Sequence, residues 1–331
     1  MLRLQSYHLL IILVVGLFLA NPITANAAIS CTQASNTISN LNFGPVNPFS
    51  STNSTSATIN YECRGSEGRA STARICYTFG PLNTNDHKLL GPNNTTLAFD
   101  LFSSSSHSTP ISKANPLQLT LSSDGSSTLI KGSITVYAQT LAGQTPLVSG
   151  DYTLNNQIYM TVNSVDGSSA PNDCLAVTDT STYAFTYTSQ ASVDAHCAVT
   201  TAGVLDLGRV SASTVPTIGS ASNLINVTCT NATSYKIGLT PSNDNTPSND
   251  NTTGKGIMAG TNGKSTLPYQ LQSDASGTEW GNNGNTYAAL TNGVTGTGDG
   301  AAKAHTVYVT VPNTDVTPDS YSDTVTVTVY Y

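Results

Sequence analysis

Charge is what this chain has least of. Of its 331 residues only 9% are charged, with 12 Lys plus Arg against 19 Asp plus Glu, a formal net charge of -7. So few cations leave no basic footprint for a nucleic acid, and the sign of the balance argues against one too. Long amphipathic helical windows are missing, so almost no helix is expected. Beyond the N-terminal segment no run is long and apolar enough to span a bilayer as a helix. Neither a Cys-x-x-Cys pair nor a His at ligand spacing accompanies the six cysteines, which removes the zinc and redox readings. His87, His107, His196 and His305 are scattered, with no nucleophile elbow and no metal pair. Gly296–Gly300 lacks the lysine and the following helix of a phosphate loop. Asn243–Asn251 lacks the glutamate that closes a calcium loop. No catalysis, metal or cofactor is expected.

What is present points to export and to strands. Arg3, the apolar run Leu9–Ala20 and the small-x-small site Ala25-Asn26-Ala27 read as a secretory signal peptide cut before Ala28. A membrane anchor is the weaker reading, because the run falls short of the ~20 residues a span needs. Six cysteines in an exported chain suggest three disulfides. Ser, Thr, Asn and Gly dominate the remainder, with runs of Thr, Val and Tyr. In the last run, Thr324–Tyr331, Val325, Val327, Val329 and Tyr331 share one face, and three threonines and Tyr330 share the other. That period of two marks a strand buried on one side. No following strand covers its flank, and an uncovered edge is a hazard that proteins manage explicitly.

The chain also contains itself twice. Cys31 and Cys63 stand 32 positions apart, as do Cys197 and Cys229. Each first cysteine precedes a matching turn, Leu41-Asn42-Phe43-Gly44 in one half and Leu205-Asp206-Leu207-Gly208 in the other. Each second cysteine ends a strand-like run, Ala57–Glu62 and Leu224–Thr228. Gly150-Asp151-Tyr152 likewise answers to Asp319-Ser320-Tyr321. A repeat of about 170 residues is too long for a solenoid and means two related domains. Bridges Cys31–Cys63 and Cys197–Cys229 follow, each stabilising by about 3–4 kcal/mol on the chain-entropy view. Cys76 and Cys174 remain to pair within the first domain.

The copies differ at their ends. In the first, Tyr152–Asn163 is followed by a turn-rich stretch, Cys174, and a further strand, Thr182–Thr188, with Tyr183, Phe185 and Tyr187 on one face. In the second, the corresponding Tyr321–Tyr331 is the last run. Both copies should be antiparallel β-sandwiches, the second incomplete, with a hydrophobic groove best filled by a strand from another chain.

These residues resemble the spore coat protein U (SCPU) domain family, the subunits of archaic, Csu-type chaperone–usher pili. The likeness rests on the Leu-x-Phe-Gly turn, the strand ending in Cys229, and the closing stretch Gly296–Gly300, Val307-Tyr308-Val309, Val311-Pro312 and Tyr321–Val329. It implies an all-β fold of two tandem immunoglobulin-like sandwiches: 1–27 signal peptide, 28–190 N-terminal adhesin domain, 191–331 C-terminal pilin domain. It further implies that a periplasmic chaperone first lends the missing strand and that an adjacent pilin subunit, assembled at an outer-membrane usher, replaces it. Only Ala28, Ile29 and Ser30 lie between the cleavage site and Cys31, so the chain is expected to accept a strand and not to donate one. That is the topology of a two-domain tip adhesin at the cell surface, serving attachment and biofilm formation.

Site expectations follow. Val325, Val327, Val329 and Tyr331 should line the acceptor groove, and by resemblance Tyr330 and Tyr331 are what the chaperone grips first. Apolar loops of the first domain, which such adhesins press against hydrophobic abiotic or host surfaces, have Val46, Phe49, Leu101, Phe102, Leu141, Leu147 and Val148 as candidates. For each of these, burial in the sandwich is the competing reading. Two other functions stay open: a secreted coat-like structural protein or non-adhesive pilus initiator, and a secreted enzyme on a β scaffold, which fold alone does not exclude.

Overall fold

The computed structural model describes residues 29–32, 36–49, 52–79, 87–112, 114–125, 129–169, 171, 181–201, 203–242, 251–263 and 265–331. The expected signal peptide and Cys174 lie outside these residues. Among them there is no α-helix; the chain is strand and turn.

The first domain contains β1 (Ile29–Cys31), β2 (Thr37–Ile38), β3 (Leu41–Val46), β4 (Ser54–Gly65), β5 (Ser71–Phe79), β6 (His87–Leu90), β7 (Thr96–Phe102), β8 (Leu117–Ser123), β9 (Ile130–Thr140), β10 (Gly150–Asp166) and β11 (Ser181–Val193). One face runs β1-β4-β9-β7-β6, and the other runs β8-β5-β10-β11-β3, with a single β6–β10 pair joining them. Inward residues at every second position, such as Ile59, Leu97, Phe99, Val136, Ile158 and Met160, form one core between the faces. That core reaches Val193, so the division expected at residue 190 falls inside β11.

The second domain contains β12 (Cys197–Thr201), β13 (Thr217–Cys229), β14 (Ser234–Pro241), β15 (Lys255–Gly260), β16 (Thr266–Gln272), β17 (Val294–Thr297), β18 (Ala302–Val311), β19 (Tyr321–Ser322) and β20 (Val325–Tyr330). Its faces run β12-β13-β18-β16-β15-β19 and β17-β14-β20. Strand by strand this repeats the first domain: β12 and β13 stand for β1 and β4, β14 for β5, β17 for β8, and β19 with β20 for β10. Ile237, Leu239, Leu271, Val309 and Trp280 build a separate core. The Trp280 indole N–H is satisfied by the Ile237 carbonyl at 2.8 Å.

The repeat extends to details. Cys31–Cys63 and Cys197–Cys229 are both bridged, each across directly opposed strand positions. Cys76 is also disulfide-bonded. In both copies an Asx side chain accepts the N–H of the glycine two residues on, Asn42 from Gly44 at 3.0 Å and Asp206 from Gly208 at 2.8 Å. Those glycines sit at φ 66° and 67°, a region that L side chains avoid. Tyr152 and Tyr321 each donate to the carbonyl four residues upstream, Val148 at 2.8 Å and Thr317 at 2.5 Å, the tyrosine corner of immunoglobulin-like sandwiches.

The domains meet end to end. Asn231 of the second domain donates from its backbone N–H to Leu147 O at 3.2 Å and from Nδ2 to Pro146 O at 2.9 Å. Gly300 lies so close that a Cβ there would stand 2.2 Å from Thr145 O, and Phe49 packs against His196.

Two predictions follow from these contacts. Tyr152→Phe removes the acceptor of the buried Val148 N–H, so urea unfolding should show the first domain destabilised by about 1–3 kcal/mol. Tyr321→Phe, whose partner carbonyl belongs to exposed Thr317, should cost less. His305, half-buried and 3.0 Å from the Tyr235 hydroxyl, has its pKa held below the ordinary value by burial and then by Lys303. Its neutral form is therefore favoured by folding, a contribution present above about pH 6.5 and lost as pH falls through the lower folded value. Thermal melts should show the second domain weakening as pH falls below about 6.5, and His305→Gln should flatten that segment. The Asp299 and Asp319 carboxyls, held low by hydrogen bonds, act only below about pH 4.

Candidate functional site: the open groove of the second domain

The duplication supplies its own control. In the first domain β11 lies between β10 and β3, antiparallel to the one and parallel to the other. Under this lid Leu41, Phe43 and Val46 of β3 and Ile158, Met160 and Val162 of β10 are all buried. In the second domain the segments equivalent to β3 and β10 are present, but among the described residues no strand lies between them. β20 pairs with β14 alone and is a sheet edge.

Side chains register the difference. Val327, Val329 and Tyr331 occupy the positions of Ile158, Met160 and Val162. The two valines are half-buried where Ile158 and Met160 are fully buried, and Tyr331 is 53% exposed where Val162 is 4% exposed. Across the gap, residues 205–210 follow the sequence pattern of β3 without forming a strand. Leu205 and Leu207 are half-exposed and Val210 is 41% exposed. Leu207 folds over Gly219, whose missing Cβ makes room for it. Val325, Val327, Val329, Leu205 and Leu207 still touch the second core from its open side. The result is an apolar trough with unpaired backbone along the outer edge of β20, the arrangement that receives an added strand.

Tyr330 belongs elsewhere. It points to the opposite face, and its hydroxyl donates to Asn282 Oδ1 at 3.1 Å. Strand alternation makes this unavoidable for a neighbour of Val329 and Tyr331.

The apolar loop candidates of the first domain need a correction. Val46, Leu101, Phe102, Leu147 and Val148 are buried, and Phe49 is half-buried against His196. Only Leu141 among them is exposed, and it begins the loop whose Pro146–Val148 segment meets the second domain. Val46 and Leu101 point inward on their strands, and the 141–149 loop is at the joint, so no outward apolar patch forms from these residues.

The free end of the first domain lies at the other extreme of β10, whose 17 residues span roughly 50 Å. There the turns after β4, β8 and β10 converge on a hollow of about 470 Å³ lined by Ser71, Thr72, Ser122, Ser123, Asp124 and Ser168, with Ile130 at its wall. An Arg69–Asp166 ion pair at 2.9 Å stands beside it. Sequence reading missed this hollow, because small hydroxyl residues in turns give no signal of convergence.

With the geometry described, comparison places the chain. The sequence model of the Spore Coat Protein U domain matches residues 17–155 and 182–328. The chain belongs to that family. No curated protein matches the sequence. Among solved structures, the chain is similar to a chain of the CsuC–CsuE chaperone–tip adhesion subunit pre-assembly complex from Acinetobacter baumannii Csu pili. Identity is 16%, covering 89% of this chain and 100% of that one, with a TM-score of 0.45. The CupB6 tip adhesin of Pseudomonas aeruginosa is similar at 12% identity, covering 91% and 94%, with a TM-score of 0.36.

A paired substitution measures the groove. Ile158→Ala, under the lid, should cost the first domain about 2–5 kcal/mol. Val327→Ala at the equivalent open position should change the free chain by no more than about 1 kcal/mol, and its cost should grow once a strand is bound. Denaturant titration with and without a bound strand separates the two.

Proposed function

We propose that this chain is the tip subunit of a chaperone–usher pilus, an adhesin exported through the periplasm and displayed at the cell surface. One observation supports it above all: the first domain is closed by its own β11, whereas the equivalent trough of the second is open. In this reading a periplasmic chaperone fills the trough during export. A strand of the adjacent subunit then replaces it at the outer-membrane usher. A strand running as β11 does, antiparallel to β20, enters beside the first domain and leaves at the opposite end of the second. The rest of the fibre therefore extends away from the first domain, whose free end faces outward. The first described strand, β1, is paired with β4 and has Ile29 fully buried, so it is committed to its own sandwich.

Attachment in this reading uses the free end. Asp124→Lys and Ser168→Trp, both at exposed positions of the hollow, should lower surface attachment and biofilm formation while the number of fibres per cell is unchanged. Val327→Asp should abolish fibres. Attachment unaltered by either free-end change would replace adhesion with a non-adhesive, initiating or coat-like role.

A further inference from the structure

The turns that meet at the free end of the first domain are tied to one another. Gly68 N–H donates to Gly125 O at 3.1 Å, and Gly167 N–H donates to Ala70 O at 2.9 Å. The Thr72 hydroxyl adds a third tie, donating to Gly167 O at 2.8 Å. Gly125, at φ 82°, lies so close to the first turn that a Cβ there would stand 2.8 Å from Arg69 N. The hollow between these turns is therefore held in shape before anything enters it, and a preformed site loses little to ordering.

Its lining is of one chemical kind. Ser71, Thr72, Ser122, Ser123 and Ser168 supply hydroxyls, and among the described residues Asp124 is the one charged side chain on the wall. Ser71 and Ser123 stand opposite each other in register and are buried, whereas Asp124 and Ser168 are exposed, so polar atoms run from the depth of the wall to its rim. No aromatic ring is among the described lining residues. Leu129 and Val165, exposed apolar side chains on strands that reach the same end, lie outside the lining.

Each kind of ligand meets this wall differently. A hydroxyl donates and accepts at once, and a carboxylate only accepts. An apolar surface pressed over the hollow would cover these groups without giving them partners, which costs free energy. An anion would face Asp124 with no cation on the lining, since Arg69 beside it is held by Asp166 at 2.9 Å. An uncharged ligand that carries hydroxyls along its own edge satisfies donors and acceptors together. The volume of about 470 Å³ falls within the roughly 300–1,000 Å³ of small-molecule sites. We propose that the hollow is a carbohydrate site that takes a terminal neutral sugar, with Asp124 accepting from the sugar's hydroxyls and the serines exchanging hydrogen bonds around it. This rests on the free-end attachment proposed above and gives it a class of ligand.

The test passes the mature chain over one inert polymer carrying, in separate arms, glucose, galactose, mannose, N-acetylglucosamine, sialic acid, a primary amine or an octyl chain. The chain should be retained on at least one neutral sugar and released by the same sugar free in solution. Asp124→Asn, which keeps the shape and removes the charge, should weaken that retention about tenfold. Ser168→Trp should abolish it by filling the mouth, with the melting temperature of the first domain unchanged in both variants. Leu129→Ser and Val165→Ser should leave it as it is. Retention on the octyl, amine or sialic acid arm alone, lost in Ser168→Trp, overturns the neutral-sugar assignment and leaves attachment at the free end. Sugar retention equal in Asp124→Asn and the parent overturns the role given to that carboxylate. Retention that Ser168→Trp does not change, or no retention on any arm, removes the free-end reading and the inference with it.

Discussion

A β-strand satisfies its backbone only when both of its edges are paired, covered or wet. In this molecule one edge decides everything else. β20 is held by β14 on one side and carries half-exposed valines along the trough. Burying those valines and pairing that edge are the same event, since a strand laid there does both. Hydrophobic burial is non-directional and would accept any apolar cover; the ladder of N–H and C=O groups restricts the cover to an extended chain in register. Specificity for a strand therefore comes from the backbone, and specificity for one strand from the size of the pockets.

The first domain shows what the completed state looks like in the same architecture. Its β11 makes thirteen register pairs with β10 and further pairs with β3, and the six wall residues compared above are buried beneath it. The two copies agree in the disulfide that joins their first two long strands, in the Asx turns and in the tyrosine corners, and they differ at the closing strand and in the further bridged cysteine of the first, Cys76.

Much of this was legible in residues. Cysteine spacing, the Leu-x-Phe-Gly and Leu-x-Leu-Gly turns and the Tyr152–Tyr321 correspondence disclosed the duplication, and the alternation of Val325, Val327 and Val329 disclosed the edge. Legibility failed where a property depends on where a loop ends up. Leu147 and Val148 look like a greasy loop in sequence, but Leu147 packs into the first core and Val148 is buried where the chain meets Asn231 of the second domain. Val46 and Leu101 lie within strands, where alternation directs them inward. The hollow of Ser71, Ser122, Asp124 and Ser168 is assembled by three turns far apart in the chain, and no local pattern announces it.

The direction of β11 has a mechanical meaning. Its C-terminal end leads directly into the second domain, so a pull transmitted from that side acts along the strand axis. All of its pairs with β10 then carry the load together in shear, and none is exposed to being opened one at a time from an end. Because the same chain continues unbroken from β11 into Cys197, tension at the joint draws the lid along its own groove while a covalent backbone keeps the two bodies connected. That continuity makes a joint that force cannot take apart without breaking the backbone.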